Sequence, residues 1–90
     1  MYNLNFTGQF KKDFKLCKKR GMDVALLEKL FNHLQTTGTL PAKNKPHLLR
    51  GNKYGIVDCH VLPDWILLYR VNTKEKEIEL IRTGTHADLF

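Results

Sequence analysis

The chain has 90 residues, of which 42% are hydrophobic and 27% are charged. This length and composition predict one folded domain over residues 1–90 and argue against wholesale disorder. No apolar run approaches the roughly 20 residues of a membrane-spanning helix, and the N-terminus lacks the apolar segment of a secretory signal. We therefore expect a cytoplasmic protein with no membrane partner.

Charge is unevenly distributed along the chain, whose formal net charge is +6. Residues 1–54 hold eleven basic and three acidic side chains, whereas residues 55–90 hold four and six. A small basic domain most often binds a polyanion, and nucleic acid is the commonest one. The alternative is that the lysines only keep helix surfaces soluble.

The first 21 residues predict a strand and then a helix. Residues 2–6 alternate in polarity, as a short strand does. Thr7 is the expected N-cap of a helix over about 8–20, which Gly21 ends. Three side chains at helical spacing form its apolar stripe, namely Phe10, Phe14 and Cys17. The rest of its surface is basic, with Lys11, Lys12, Lys15, Lys18 and Lys19.

A second helix is predicted over about 24–36, with Asp23 as its N-cap and with Gly38 and Pro41 closing it. Its apolar stripe consists of Val24, Leu27, Leu30, Phe31 and Leu34. The two helices are joined by three residues, which predicts an antiparallel helical hairpin. A basic loop over 38–47 follows.

The remaining chain predicts four strands, over about 48–50, 54–61, 65–71 and 77–82. The fold expected is therefore α+β: β-α-α followed by an antiparallel β meander, with two helices packed on one twisted sheet.

Strand alternation separates the polar from the apolar residues of the 54–61 strand. Val57, Cys59 and Val61 share one face, so Asp58 and His60 lie on the other. Asp58 is interpreted as a structural residue.

Metal and nucleophile chemistry are both disfavoured. His47, Cys59, His60 and His86 are possible metal ligands, but their spacing matches no close-ligand pattern, so no metal or other cofactor is expected. The sequence contains no serine. The two cysteines have no close spacing and are expected to be reduced, and Cys59, on an apolar strand face, would be an inert buried thiol. His33, beside a helical core stripe, is interpreted as structural or surface.

Phosphoryl chemistry on RNA fits the histidines better. RNA brings its own nucleophile, the 2′-OH, so the protein needs only a base, an acid and a cation near the phosphate. Histidines and Arg82 can supply these groups, and Trp65 could stack an unpaired base. The alternatives are that Trp65 is a core residue, that Arg82 lies at a solvated strand end and that His47 is an ordinary loop residue. Strict alternation puts Arg82 on the side of the apolar positions, so the strand must twist, bulge or end before it.

The segments DCHVLPDWILLYRV and IELIRTGTHADLF, with FTGQFKKDFKL and PHLLRG, closely resemble the YafQ-like branch of the RelE/ParE toxin superfamily. These are toxins of bacterial type II toxin–antitoxin systems. The resemblance implies a ribosome-dependent endonuclease that cuts mRNA in the ribosomal A site. It also implies a cognate antitoxin as partner, and operator DNA only through the antitoxin complex. The family's functional positions fall on His47, His60, Asp64, Trp65, Arg82, His86 and Phe90.

The resemblance suggests a role for each residue. His86 is the expected general acid, with His60 or Asp64 as the base or as the group that orients it. Arg82 and His47 would contact the phosphate, and Trp65 and Phe90 the RNA. The basic face of the first helix, with Lys11, Lys15 and Lys18, is expected to contact rRNA or mRNA phosphates.

Two other functions remain open from the sequence. Some superfamily toxins inhibit gyrase by binding, although that activity does not need the three histidines His47, His60 and His86. A decayed toxin that retains the fold and only binds nucleic acid or a partner is the other alternative.

Overall fold

The computed structural model describes residues 1–49, 51 and 54–90. Its elements, in chain order, are β1 (Asn3–Phe6), α1 (Gly8–Lys19), α2 (Val24–Thr37), a 3₁₀ turn (Ala42–Asn44), β2 (His47–Leu48), β3 (Val57–Leu62), β4 (Trp65–Asn72), β5 (Glu77–Gly84) and α3 (His86–Leu89). No helix in these described ranges is long and apolar enough to cross a membrane.

Capping residues define the two long helices as the sequence predicted. The Thr7 hydroxyl accepts the Phe10 amide at 2.9 Å, and the Asp23 carboxylate accepts the Ala25 amide at 3.1 Å. Each bond satisfies one of the amides that the first helical turn leaves without a partner. Gly38 ends α2 in the left-handed conformation, at a φ of 75°.

The five strands form one sheet in the order β1-β5-β4-β3-β2. The meander of β2 to β5 is antiparallel, as predicted, whereas β1 lies parallel to β5 at the edge of the sheet. That pairing joins residues more than 70 positions apart in the register, and no local pattern in the sequence indicates it.

Strand boundaries differ from the predicted ones. The predicted 54–61 strand begins at Val57, and the 77–82 strand continues to Gly84. The 48–50 strand is the two-residue β2, and its predicted end at residue 50 lies outside the described residues. The one-turn α3 was not predicted.

Both long helices pack on one face of the sheet. The buried cluster between them consists of Phe10, Cys17, Leu27, Leu30, Leu34, Leu40, Cys59, Trp65, Leu67, Tyr69, Ile78 and Leu80. The two helical stripes read from the sequence supply Phe10, Cys17, Leu27, Leu30 and Leu34 of this core. The opposite face of β4 carries Ile66 and Leu68, which are also buried.

A β-bulge interrupts the alternation of β5. Tyr69 pairs with Leu80 and Leu68 pairs with Arg82, which leaves Ile81 as an extra residue. Thr83 is consequently buried, like Leu80, and the Arg82 side chain leaves the backbone on the other face of the sheet. The sequence required such an irregularity for Arg82 to leave the core side, and the structure confirms it.

Candidate active site

Two rows of paired residues cross the sheet face that the long helices leave uncovered. The first row runs through His47, Asp58, Leu68 and Arg82. The second runs through His60, Ile66 and Gly84. Directly paired residues project from the same face of a sheet, so the register brings three of the predicted site residues to one surface.

The closest contact within the site joins Asp64 to His86. Asp64 lies in the two-residue turn between β3 and β4, and His86 is the first residue of α3. The Asp64 Oδ1 accepts the His86 Nδ1–H at 2.7 Å and the His86 backbone N–H at 3.2 Å. The hydrogen bond from the His86 ring, followed by that from its amide, holds the pKa of Asp64 below its ordinary value.

This contact fixes the role of each nitrogen of His86. An ionised carboxylate only accepts hydrogen bonds, so Nδ1 carries the proton that faces Asp64. Nε2 is then the nitrogen that can exchange a proton with a bound molecule. Because Asp64 also binds the His86 amide, it orients the backbone and the ring together.

His60 lies next to His86, with 5.9 Å between the ring centroids. Its Nδ1 donates to the carbonyl oxygen of Pro63 at 3.3 Å, which leaves Nε2 with a free lone pair in the neutral ring. Asn44 holds the strand at this point, because its Nδ2 donates to the His60 carbonyl oxygen at 2.8 Å. Two imidazoles with opposite roles can therefore act on one bound phosphodiester.

His47 stands farther along the face, beside Asp58. Its Nδ1 donates to the Lys45 carbonyl oxygen at 2.8 Å, and its Nε2 lies 4.0 Å from Asp58 Oδ2. Lys45 adopts the left-handed conformation, at a φ of 51°. Asp58 Oδ1 is buried and accepts no hydrogen bond from the described residues. Asp58, interpreted from the sequence as a structural residue, lies on the same sheet face as His60, as strand alternation predicted.

Arg82 reaches a partner other than the histidines. Its Nε and Nη2 donate to the two carboxylate oxygens of Asp13 at 3.0 Å each. Asp13 is buried on α1 and also accepts the Thr83 amide at 3.2 Å, on the edge of β5 that β1 no longer covers. Arg82 is thus held at the margin of the site by a bidentate pair, with one third of its side chain exposed.

Trp65 is a core residue. It is 2% exposed, and its Nε1 donates to the Thr83 hydroxyl at 2.9 Å, which in turn donates to the Ile66 carbonyl oxygen at 2.8 Å. A buried ring has no free face on which a base can stack. This corrects the expected RNA contact, and the alternative weighed from the sequence, a core tryptophan, describes its position.

Phe90 and the lysines occupy exposed positions. The Phe90 ring lies 6.3 Å from that of His86 and is 64% exposed, so an aromatic face is available beside the two histidines. Lys11, Lys15 and Lys18 are exposed along one stripe of α1. His33 is exposed on α2, as interpreted from the sequence.

A groove of about 650 Å³ adjoins His60. Side chains of α2, the 41–45 segment and the β3–β4 turn line it, among them three lysines: Lys29, Lys43 and Lys45. Apolar side chains such as Leu30 and Leu62 complete its lining. The groove therefore combines positive charge with apolar surface.

The described residues do not fit a metal ion. No group of three or more His, Cys, Asp or Glu side chains within 1–49, 51 and 54–90 is placed to hold one. Cys59 is fully buried, and burial raises the pKa of its thiol to about 12. It lies on the opposite face of β3 from His60, as the alternation predicted.

Sequence reasoning missed several residues that build the site. Asp13 and Asn44 act over long sequence distances, and no local pattern marks them. Thr85 and Asp88 form a capping box at α3, and this pair could have been found, because a threonine followed three residues later by an acid is the signature of that motif.

Comparisons with known proteins agree with this architecture. A family model described as "Bacterial toxin of type II toxin-antitoxin system, YafQ" matches residues 2–90. The chain is 45% identical over 89 residues to the mRNA interferase toxin YafQ of Escherichia coli, which covers 98% of this chain and 95% of that protein.

Solved structures share the fold over nearly the whole chain. A chain in the crystal structure of the E. coli DinJ–YafQ toxin–antitoxin complex matches with a TM-score of 0.89 at 43% identity, over 99% of this chain and 97% of that one. A metal-bound toxin from Helicobacter pylori matches with a TM-score of 0.92 at 36% identity, over all of both chains. The chain therefore belongs to the YafQ family of toxins of bacterial type II toxin–antitoxin systems.

Proposed function

We propose that the protein is an endoribonuclease that cleaves mRNA in the ribosomal A site, using the RNA 2′-OH and no metal ion. The observation that carries the proposal is the His86–Asp64 contact of 2.7 Å with the His60 ring beside it. An oriented imidazole next to a second imidazole is an acid–base pair. The relative at 45% identity, named an mRNA interferase toxin, supports RNA as the substrate.

The chemistry is a transesterification within the RNA strand. The 2′-oxygen forms a bond to phosphorus as the bond between phosphorus and the 5′-oxygen breaks, which leaves a 2′,3′-cyclic phosphate and a 5′-hydroxyl. His60 Nε2 takes the proton of the 2′-OH, and protonated His86 gives its Nε2 proton to the leaving 5′-oxygen. Asp64 stabilises the protonated form of His86 through Nδ1, as a carboxylate does in other oriented imidazoles.

His47 and Arg82 are the proposed contacts to the phosphate. His47 needs no rearrangement, because 58% of its side chain is exposed. Arg82 contacts a phosphate only if it exchanges one of its bonds to Asp13. In both cases the contact is with the oxygens that become more negative as the bond to phosphorus breaks.

The remainder of the RNA and the ribosome meet the basic surfaces. Phe90 stacks on a base next to the cleaved bond, and the groove beside His60 accommodates an adjacent nucleotide against its lysines. Lys11, Lys15 and Lys18 bind phosphates of rRNA or mRNA. Cleavage on the ribosome places the activity in the cytoplasm.

A cognate antitoxin blocks this activity in the proposed system, and operator DNA is bound only through the toxin–antitoxin complex. The structural relative from the E. coli DinJ–YafQ toxin–antitoxin complex supports this partner.

The test is cleavage of a defined mRNA on programmed ribosomes, with the 5′ ends of the downstream fragments mapped by primer extension. We expect cuts in the A-site codon and a 2′,3′-cyclic phosphate at the new 3′ end, which is the product of attack by the 2′-OH rather than by a water molecule. Intact mRNA with folded protein contradicts the proposal. In that case, inhibition of DNA supercoiling would identify the gyrase-binding alternative, and harmless expression without antitoxin a decayed toxin.

A further inference from the structure

The proposed general acid is carried by an element with little support of its own. α3 is a single turn of four residues, and none of them is buried. A helix this short is not stable in isolation, because one turn does not compensate for the cost of nucleation. The position of His86 therefore depends on polar contacts between α3 and the rest of the molecule.

Asp88 is the residue of α3 on which these contacts converge. Its Oδ2 accepts the Thr85 amide at 2.9 Å, and its own amide donates to the Thr85 hydroxyl at 3.3 Å. Its side chain lies against Gly84, where an added Cβ would stand 2.9 Å from Oδ2. The carboxylate thus packs against the backbone that leads into His86.

Arg20 links Asp88 to the helical layer. Its Nη1 and Nη2 donate to the two carboxylate oxygens at 2.7 and 3.2 Å. The backbone of Arg20 caps α1, with its amide on the Leu16 carbonyl oxygen at 2.9 Å. The hydrogen bonds from Arg20, followed by that from the Thr85 amide, hold the pKa of Asp88 well below its ordinary value.

Two contacts from different parts of the chain therefore hold α3. Asp64 binds the first residue of the helix from the β3–β4 turn, and Arg20 binds Asp88 from the end of α1. With Asp64 alone, α3 can pivot about His86. The second contact fixes the direction of the turn and, with it, the place of Phe90.

We propose that Arg20, acting through Asp88, is a positioning residue that sets where His86 and Phe90 stand in the cleavage site. This inference rests on the proposed function. Displacing a catalytic group by about 1 Å can cost roughly a hundredfold in rate. An exposed ion pair contributes little to stability, so breaking this one changes the rate of cleavage more than the folding of the protein.

The experiment compares Arg20→Gln and Asp88→Asn with Arg70→Gln. Asparagine at 88 keeps an oxygen for the Thr85 amide but loses the charge that binds Arg20. The control breaks the Arg70–Glu79 pair, which has a similar exposure and a distance of 2.6 Å but lies away from α3. Single-turnover cleavage is measured across ribosome concentrations, which separates the rate at saturation from the half-saturating concentration.

We expect both Arg20→Gln and Asp88→Asn to lower the rate at saturation about tenfold, with similar half-saturation, because His86 is misplaced while binding is retained. The double variant should be no slower than the slower single variant, since both changes break the same ion pair. Arg20→Lys should recover part of the rate, and Arg70→Gln should match the wild type. The inference would be overturned if Arg20→Gln cleaved at the wild-type rate, or if only its half-saturating ribosome concentration changed.

A measurement on the free protein separates this inference from the proposed function. In the wild type, the ¹⁵N order parameters of the Leu89 and Phe90 amides should be about 0.85, and in Arg20→Gln they should fall below about 0.6. If the wild type does not cleave mRNA but these values fall, the proposed function is wrong and the positioning of α3 by Arg20 is still supported. If the wild type cleaves mRNA and the values do not change, the inference about Arg20 is wrong.

Discussion

At the scale of single residues, the site depends on which nitrogen of His86 is free. Asp64 occupies Nδ1, so proton exchange with a substrate takes place at Nε2. Sequence spacing cannot indicate this, because the two residues are 22 positions apart and meet only through a strand turn and a helix start. In the proposed mechanism, Asp64 is therefore the orienting group and His60 is the base.

Replacing His86 by glutamine tests its proposed role as the general acid. Glutamine can donate to Asp64 but has no proton that transfers near neutral pH, so we expect single-turnover cleavage to fall about a hundredfold or more. The melting temperature should be nearly unchanged, because 54% of the His86 side chain is exposed. Lys74→Gln, at an exposed position of the β4–β5 turn, is the control and should retain full activity. Wild-type cleavage by the His86 variant would refute its role.

Trp65 gives a second prediction at this scale. Phenylalanine fills most of its space but cannot donate to Thr83, so we expect Trp65→Phe to lower the free energy of unfolding by about 1–3 kcal/mol. The cleavage rate per folded molecule should stay at the wild-type level, because the ring is 2% exposed. Urea denaturation and single-turnover cleavage measure the two quantities. A variant that cleaves more slowly but is equally stable would indicate that Trp65 contacts RNA.

At the scale of elements, α1 binds the edge of β5 beyond the point where β1 stops pairing with it. β1 pairs with β5 only as far as Leu80, and beyond it the Asp13 carboxylate binds the Thr83 amide and the Arg82 guanidinium. Burial acts to raise the pKa of Asp13, but hydrogen bonds from Arg82, Gln9 and Thr83 outweigh it and lower the pKa below 3.8. A helix side chain thus takes the place of a neighbouring strand.

Asp13→Asn should therefore lower the free energy of unfolding by about 3 kcal/mol at pH 7, because Arg82 loses its charged partner at a largely buried site. The folded-state pKa of Asp13 is depressed, so its contribution is present above pH 3.8 and is lost as the pH falls through that pKa. Urea denaturation at several pH values should show the difference from the wild type shrinking in acid. Asp23→Asn is the control, since asparagine caps a helix equally well. A difference that does not depend on pH contradicts this account.

At the scale of the whole molecule, the lysines of α1 and the histidines of the candidate site lie in two different regions. The exposed lysines project from the helical layer, whereas His47 and His60 lie on the uncovered sheet face and His86 lies in α3. In the proposed function, a ribosome that delivers mRNA to the histidines binds the lysines with a separate part of its RNA. This arrangement is expected to make binding sensitive to salt and the bond-breaking step insensitive to it.

The Lys11→Gln/Lys15→Gln double variant tests this division against Lys74→Gln/Lys76→Gln, which removes the same charge from the β4–β5 turn. For the α1 variant we expect the slope of log binding constant against log salt to fall by about one for each phosphate that the protein no longer binds. Adding Lys18→Gln should lower it further. Sedimentation with ribosomes measures binding. Equal slopes in the two double variants would show that the α1 face is only solvated.

Much of the fold follows from local sequence patterns. Helical stripes, capping residues and strand alternation act over a few neighbouring positions, so they predicted α1, α2, the antiparallel meander and the display of His60. The parallel pairing of β1 and the positions of the strand ends depend on contacts between distant segments. α3 was not predicted, because its only local sequence signal is a capping box on a single turn.

The sequence by itself determined which residue types were present and which face of a strand they occupied, because alternation is a property of the extended backbone. It also carried a resemblance from which His47, His60, Asp64, Arg82 and His86 could be named together. The tertiary structure alone decided the pairing of Asp64 with His86, of Arg82 with Asp13 and of Arg20 with Asp88. It also placed Trp65 in the core. These partners are far apart along the chain, and only the packing of helices on the sheet brings their charges within hydrogen-bonding distance.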